Sequence, residues 1–192
     1  MIEGGSSKNF SNIMNMAVNN ELLLNKLIEI LEEAITIHIE GQLNSGAEVI
    51  QLFDSWAGIL PKELFFKYSI EPNRRIIKNI RKKFKDALFI GFPKNANENY
   101  LEFSKLTEVN AISVDSNFSI VKIHESIDIV TQGNIDPVVL LKSKSEIRYE
   151  IDKLRNQVKG KNHIYNLAHG VIKETPVDNV EFFVNYLKGI SD

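Results

Sequence analysis

Short, nearly solid apolar runs alternate along this chain with longer stretches in which apolar residues recur every three or four positions. The first helical stretch runs from Glu21 to Gln42, where Leu24, Leu27, Ile28, Leu31, Ile35 and Ile39 keep helical spacing, and Asn44-Ser45-Gly46 ends it. Ala47 to Phe53, AEVIQLF, reads as the first strand and closes at Asp54-Ser55-Trp56-Ala57-Gly58. Pro61 opens a helical stretch, and Pro72 marks a second helix, Asn73 to Phe84. Ala87 to Phe92, ALFIGF, is a second strand that Pro93 cuts off, and a helix through Tyr100, Leu101, Phe103 and Leu106 follows. Ala111 to Val114 is a third strand ending at Asp115. Ile127 to Val130 is a fourth, ending in Thr131-Gln132-Gly133-Asn134 with Asp136-Pro137 beyond. A helix from Ser145 to about Val158 leads to the fifth, Ile164 to Leu167.

After that strand the chain breaks at Ala168-His169-Gly170, where glycine permits a sharp turn. Thr175-Pro176 then starts a last helix, with Val177, Val180, Phe183, Val184 and Leu187 on one face. Short apolar strands separated by helices predict βαβ units, hence an α/β fold with a parallel sheet buried on both faces. At 192 residues the chain has the length of one domain, residues 1–192. Its first residues, Glu3-Gly4-Gly5-Ser6-Ser7, fit two readings: a flexible start, or a loop following a strand that is not in the sequence.

Composition narrows the chemistry. Lys+Arg 23 against Asp+Glu 25 leaves a net charge of -2, which gives no reason to expect nucleic acid or an anionic membrane surface as partner. The basic face of the Asn73–Phe84 helix, with Arg74, Arg75, Lys78, Arg81, Lys82, Lys83 and Lys85, therefore reads as solvated, and so does the Glu32-Glu33 pair. Cysteine is absent, which removes disulfides, thiolate metal sites and cysteine nucleophiles and fits a cytoplasmic protein. No apolar run approaches the roughly 20 residues of a membrane span, and no basic region followed by an apolar core opens the chain. His38, His124, His163 and His169 show no metal-ligand spacing, and there is no Gly-rich phosphate loop or G-x-S-x-G elbow.

What remains is a pattern of position. Asp54 and Ser55, Asp115, Gln132 with Gly133 and Asn134, and His169 all fall at predicted C-terminal strand ends, which line up along one edge of a parallel sheet. Ligands collect at that edge in α/β folds. Each residue alone also suits an ordinary turn, and His169 alone suits a hydrogen-bonded turn residue.

The segments VIQLFDSWAG, FIGFPK, TQGNIDP and HIYNLAHGVIKETPVDNV, in this order, closely resemble the C-terminal part of the uroporphyrinogen decarboxylase family, and the opening MIEGGSS resembles the loop after that family's third barrel strand. The resemblance implies a partial TIM (β/α)8 barrel, about strands 4 to 8 with their helices. It implies cofactor-free decarboxylation of the four acetate groups of uroporphyrinogen III to coproporphyrinogen III, in heme biosynthesis. Ser55 and His169 would be substrate-binding positions, Gln132, Gly133 and Asn134 would shape the cleft floor, and Asp54 and Asp115 would line it. The family pairs two barrels as a homodimer and uses no metal.

Three departures stand in this sequence. The family's glycine before the histidine is Ala168, which would be strained by about 1 kcal/mol if the position needs positive φ. Its glycine-containing loop reads Pro93-Lys94-Asn95-Ala96-Asn97, and its Asp-Trp is Asp115-Ser116. The family's pyrrole-binding aspartate and carboxylate-binding arginines belong to an N-terminal segment absent from the sequence, so the chain by itself is expected to be inactive. Such a chain would be truncated, one half of a split enzyme with an N-terminal half chain as partner, or a non-catalytic remnant. The superfamily's zinc-dependent methyltransferases need cysteine ligands, and this chain has none.

Overall fold

The computed structural model describes residues 2–5, 7 and 9–189. Its centre is a parallel sheet of five strands in sequence order: β1 (Val49–Asp54), β2 (Leu88–Pro93), β3 (Ala111–Val114), β4 (Val130–Ile135) and β5 (His163–Leu167). Sequential parallel neighbours demand a helical crossover each time. Those are the continuous helix α3–α4 (Lys62–Phe65 and Glu71–Lys83), α5 (Asn99–Thr107), α6 (Ile120–Ser126) and α7 (Lys144–Gln157). Ahead of the sheet stand α1 (Ser11–Asn19) and α2 (Glu21–Asn44), and behind it α8 (Val177–Lys188).

Side-chain alternation sorts each strand into two faces. Ile50, Phe89, Ile112, Val114 and Ile135 point one way, into a single hydrophobic cluster with Phe65, Ile77, Ile80, Phe103, Ile147 and Ile151 of the helices. Gln51, paired with Ile90, and Ser113, paired with Gln132, point the other way. That second face is concave. Neighbouring strands lie about 4.8 Å apart, so β1 and β4 would stand about 14 Å apart in a flat sheet. Yet Gln132 Nε2 on β4 donates to Gln51 Oε1 on β1 at 3.2 Å. The sheet curls as barrel sheets do, with the helices outside. Val49, Phe53, Leu88 and Ile164 on the concave face stay exposed.

The elements depart from the sequence expectations in five places. Residues 2–5 and 7 lead into α1, where Glu3 Oε1 accepts from the Ile13 N–H at 2.9 Å and Phe10 packs on Trp56, so this start is folded. Met1 and Ser6 of the MIEGGSS opening lie outside the described residues. The helices expected from Pro61 and from Pro72 are one, because a π-helical turn, Phe66–Ile70, joins them. That wider turn accommodates a proline ring that an α-turn would press against the preceding carbonyl. β4 lies later than the apolar run Ile127–Val130 and contains the polar segment Thr131–Asn134 itself. The seven-residue α6, with Ile120 and Ile123 buried, was not apparent from periodicity.

The fifth departure concerns charge. Glu32 is buried to 9 % exposure and takes the Arg75 guanidinium at both oxygens, at 2.9 and 2.5 Å. Arg81 reaches Asn110 and the Glu108 carbonyl, and Lys83 pairs with Glu40. The basic run is thus partly a lacing of α4 onto its neighbours, and Glu32 is not solvated. The planar fork of arginine matches a carboxylate in two bonds, which is why Arg75 holds the most buried of these pairs.

Candidate active site

The C-terminal strand ends are tied to one another by backbone and side-chain hydrogen bonds. Lys94, just past β2, donates from its N–H to the Asp54 carbonyl at 3.0 Å and accepts from the Gly58 N–H at 2.9 Å, clamping the Ser55 loop at both ends. Gly58 is required there, since a Cβ would collide with the Asn95 backbone. Asn95 and Asn97 adopt φ of 59° and 51°, the left-handed region that asparagine tolerates best among residues with a side chain. The two asparagines do the work a glycine would do in this loop. Ser55 itself is exposed at the rim.

Asp115 joins the next two strand ends. Its Oδ2 accepts from the Asn95 N–H at 2.6 Å and from the Tyr100 hydroxyl, and its Oδ1 from the Asn117 N–H at 3.3 Å. Burial, and then the bond to Asp115, push the Tyr100 phenol far above its ordinary pKa. Asn134 Nδ2 donates to the Asp115 and Phe118 carbonyls at 3.1 and 2.9 Å, carrying the chain of contacts to β4. Asp115 is 5 % exposed, and its carboxylate, engaged by these protein donors, braces the edge. Asp115→Ala is expected to cost about 2–4 kcal/mol, because a buried phenol and two amides lose a charged acceptor. Asp115→Asn, which keeps one acceptor, should cost clearly less, and urea denaturation of both variants checks the order.

Asp54 shares the outer face of β1 with Ile50 and Leu52. Its Oδ2 accepts from Ser69 Oγ at 2.6 Å, and it borders an apolar cavity with Phe10, Leu24, Trp56 and Tyr68. Burial raises its pKa, and the Ser69 bond opposes that shift. It therefore faces the helix layer and not the concave side. On the concave side, Gln132 bridges Gln51 and Ser113, both at 3.2 Å. Gly133 has φ +120°, and a Cβ there would stand 2.6 Å from the Val114 carbonyl oxygen.

His169 lies past the end of β5, exposed, with Nδ1 accepting from the Gly170 N–H at 2.8 Å. That bond assigns the proton of the neutral ring to Nε2, which leaves a directed donor at the rim. Ala168 is buried, donates its N–H to the Ile135 carbonyl at 2.7 Å and does not lie in the left-handed region. No strain arises there, and Gly170 does not need positive φ either.

Thus Ser55, Gln132, Asn134 and His169 gather at the concave side and its rim, while Asp54 and Asp115 serve the frame. Gln51, Ser113 and Tyr100 were missed in the sequence. Only strand alternation, once register is known, could have found the first two. Among the described residues no three His, Asp or Glu side chains gather as metal ligands, and no helix is long and apolar enough to cross a membrane.

A curled parallel sheet with helices outside and hydrogen-bonding groups at its C-terminal strand ends is an arc of a (β/α)8 barrel, five strands long. The sequence matches the uroporphyrinogen decarboxylase family model over residues 1–190. It is 38% identical over 189 residues to the uroporphyrinogen decarboxylase of Rickettsia rickettsii (strain Sheila Smith), covering 98% of this chain and 55% of that protein. To the uroporphyrinogen decarboxylase of Rickettsia bellii (strain RML369-C) it is 39% identical over 189 residues, covering 98% of this chain and 56% of that one. The chain belongs to the uroporphyrinogen decarboxylase family, and it spans about half the length of the curated relatives it matches.

Proposed function

We propose that this chain forms one side of a uroporphyrinogen decarboxylase site, in which Ser55 and His169 donate hydrogen bonds to the substrate's carboxylates. The observation that carries this reading is that both residues stand at the C-terminal rim of one concave sheet, in a chain of this family. The reaction converts the four acetate groups of uroporphyrinogen III to methyls, giving coproporphyrinogen III. Protonation of a pyrrole ring carbon creates a cation, and the electrons of the bond to the carboxylate flow into it as carbon dioxide leaves. A second proton completes the methyl group, and loss of the first proton from the ring carbon restores the pyrrole, so that one proton is consumed for each carbon dioxide released. Such chemistry asks for electrostatic stabilisation of charge in a pre-shaped cleft and needs no electron-accepting cofactor.

The same reading assigns the cations to a different segment. The arginines here are committed to the helix layer: Arg74 to Glu71, Arg75 to Glu32, Arg81 to Asn110, Arg148 over Phe182 and Tyr186, and Arg155 to Asp152. A substrate with eight carboxylates cannot be desolvated without positive partners. The remainder of the barrel, continuous with this chain or separate from it, supplies them. It seats against the β1 and β5 edges and covers Val49, Phe53, Leu88 and Ile164. A cytoplasmic heme-pathway enzyme, dimeric once the barrel is complete, is the protein this describes.

His169→Asn and Ser55→Ala in the completed barrel test the assignment. Asparagine can keep the bond to Gly170 while losing the Nε2 donor. Loss of one hydrogen bond to a charged group is worth about 1.5–3 kcal/mol, so kcat/KM is expected to fall about tenfold to a hundredfold. The melting temperature should hold, because both side chains are exposed. Unchanged kinetics with a lowered melting temperature would return both residues to a structural role.

A further inference from the structure

One cation stands at the rim of the concave face. The residues that first follow the five strands are Ser55, Lys94, Asp115, Asp136 and Ala168, and of these Lys94 alone is positively charged. The register pairs Val49–Leu88, Gln51–Ile90 and Phe53–Phe92 run up the concave side of β1 and β2, with the Phe53 and Phe92 rings edge to face at 6.0 Å. One pleat further on, the same side pairs Ser55 with Lys94. The Lys94 N–H donates to the Asp54 carbonyl at 3.0 Å and so carries the ladder one step past Pro93. Adjacent strands lie about 4.8 Å apart, which brings the hydroxyl and the ammonium within reach of a single carboxylate.

The backbone is pinned on both sides of Lys94. Its carbonyl accepts from the Gly58 N–H at 2.9 Å, and the Asn95 N–H that follows donates to Asp115 Oδ2 at 2.6 Å. Lys94 is half-buried. Yet among the described residues its ammonium has no carboxylate partner, whereas Lys67, Lys83, Lys122, Lys142, Lys153 and Lys173 each have one. The aspartates of the adjoining strand ends are occupied. Asp54 lies on the outer face and takes Ser69, and Asp115 takes Asn95, Tyr100 and Asn117. A half-buried cation without an anion of its own has lost part of its hydration and favours an anionic ligand.

We infer that Lys94 and Ser55 together form a subsite for one of the four carboxylates that the reaction leaves in place, an inference that rests on the function proposed above. The choice among the eight carboxylates follows from charge. As carbon dioxide leaves, the negative charge of the reacting acetate disperses into the ring. A cation bonded to that carboxylate would stabilise the starting state more than the transition state and slow the step. A cation bonded to a retained carboxylate holds the macrocycle equally well before, during and after the reaction. Lys94 therefore contributes to binding and position, and the other carboxylates still need cations from the remainder of the barrel.

Coproporphyrinogen III carries only the retained carboxylates, so its anaerobic titration into the completed barrel is the direct test. Lys94→Met is expected to weaken its Kd about tenfold, and Lys94→Arg to recover most of that loss. The difference between wild type and Lys94→Met should shrink as salt is raised. Lys78→Met, on the outer surface of α4, should leave binding unchanged. In turnover, Lys94→Met should raise KM about tenfold with kcat within about twofold, the signature of binding shared by ground and transition states. If Lys94→Met does not fold, Lys94→Gln takes its place with the same expectation. Wild-type affinity in the methionine or glutamine variant, a fall in kcat at constant KM, or no recovery by arginine would each overturn the subsite. A wild-type completed barrel that folds but does not bind coproporphyrinogen III would overturn the proposed function itself.

Discussion

Gly133→Ala should be among the most destabilising single substitutions in this chain, lowering stability by about 3–5 kcal/mol. Two independent penalties combine. The backbone φ of +120° lies where only glycine is at ease, and a Cβ would meet the Val114 carbonyl oxygen at 2.6 Å. That carbonyl belongs to β3, an all-buried strand hydrogen-bonded on both sides, so neither partner can retreat cheaply. The cost corresponds to a melting temperature lower by roughly 10 °C or more for a domain of this size. The effect should also be felt at the rim, because shifting Gly133 moves Gln132 off Gln51 and Asn134 off the Asp115 carbonyl. A loss below about 1 kcal/mol in urea denaturation would mean that β4 bends more easily than its neighbours allow.

The helices and strands of this chain were legible in proportion to how apolar they are. β3, whose four residues are all buried, and α2, with its long periodic stripe, stand close to where the sequence put them. β4 was misplaced because its residues are polar for particular reasons. Thr131 serves His124 and His163, Gln132 the concave hydrogen bonds, and Asn134 the Asp115 loop. A run of such residues reads as a loop when register is unknown. Charge deceived in the same way. Glu32 looked solvated because its partner, Arg75, lies in a different helix, and no local spacing reveals such a pair.

The strand-end pattern placed these residues along one edge of the sheet but did not give the orientation of each side chain. His169 and Ser55 stand free at the rim, and sequence position sufficed to place them there. Asp54 and Asp115 were chosen by the same rule, and the pleat turned one outward while a tyrosine and a neighbouring loop engaged the other. Alternation decides these cases, and it becomes usable only when ladder register is known.

The division of the site between this chain and the rest of a barrel is tested most directly by assaying the purified 192-residue chain for conversion of uroporphyrinogen III to coproporphyrinogen III. Among the described residues the concave face holds hydrogen-bond donors but no arginine for a substrate with eight carboxylates, and an unpaired buried carboxylate costs several kcal/mol. Exposed Val49, Phe53, Leu88 and Ile164 further leave the cleft open to water, which weakens every electrostatic contact in it. The chain alone should therefore give no turnover above a no-protein control. Adding the remaining barrel segment of a family member, in trans or by fusion, should restore it, and His169→Asn should reduce the restored rate. Turnover by the chain alone, or none from a completed barrel that folds cooperatively, would contradict this account.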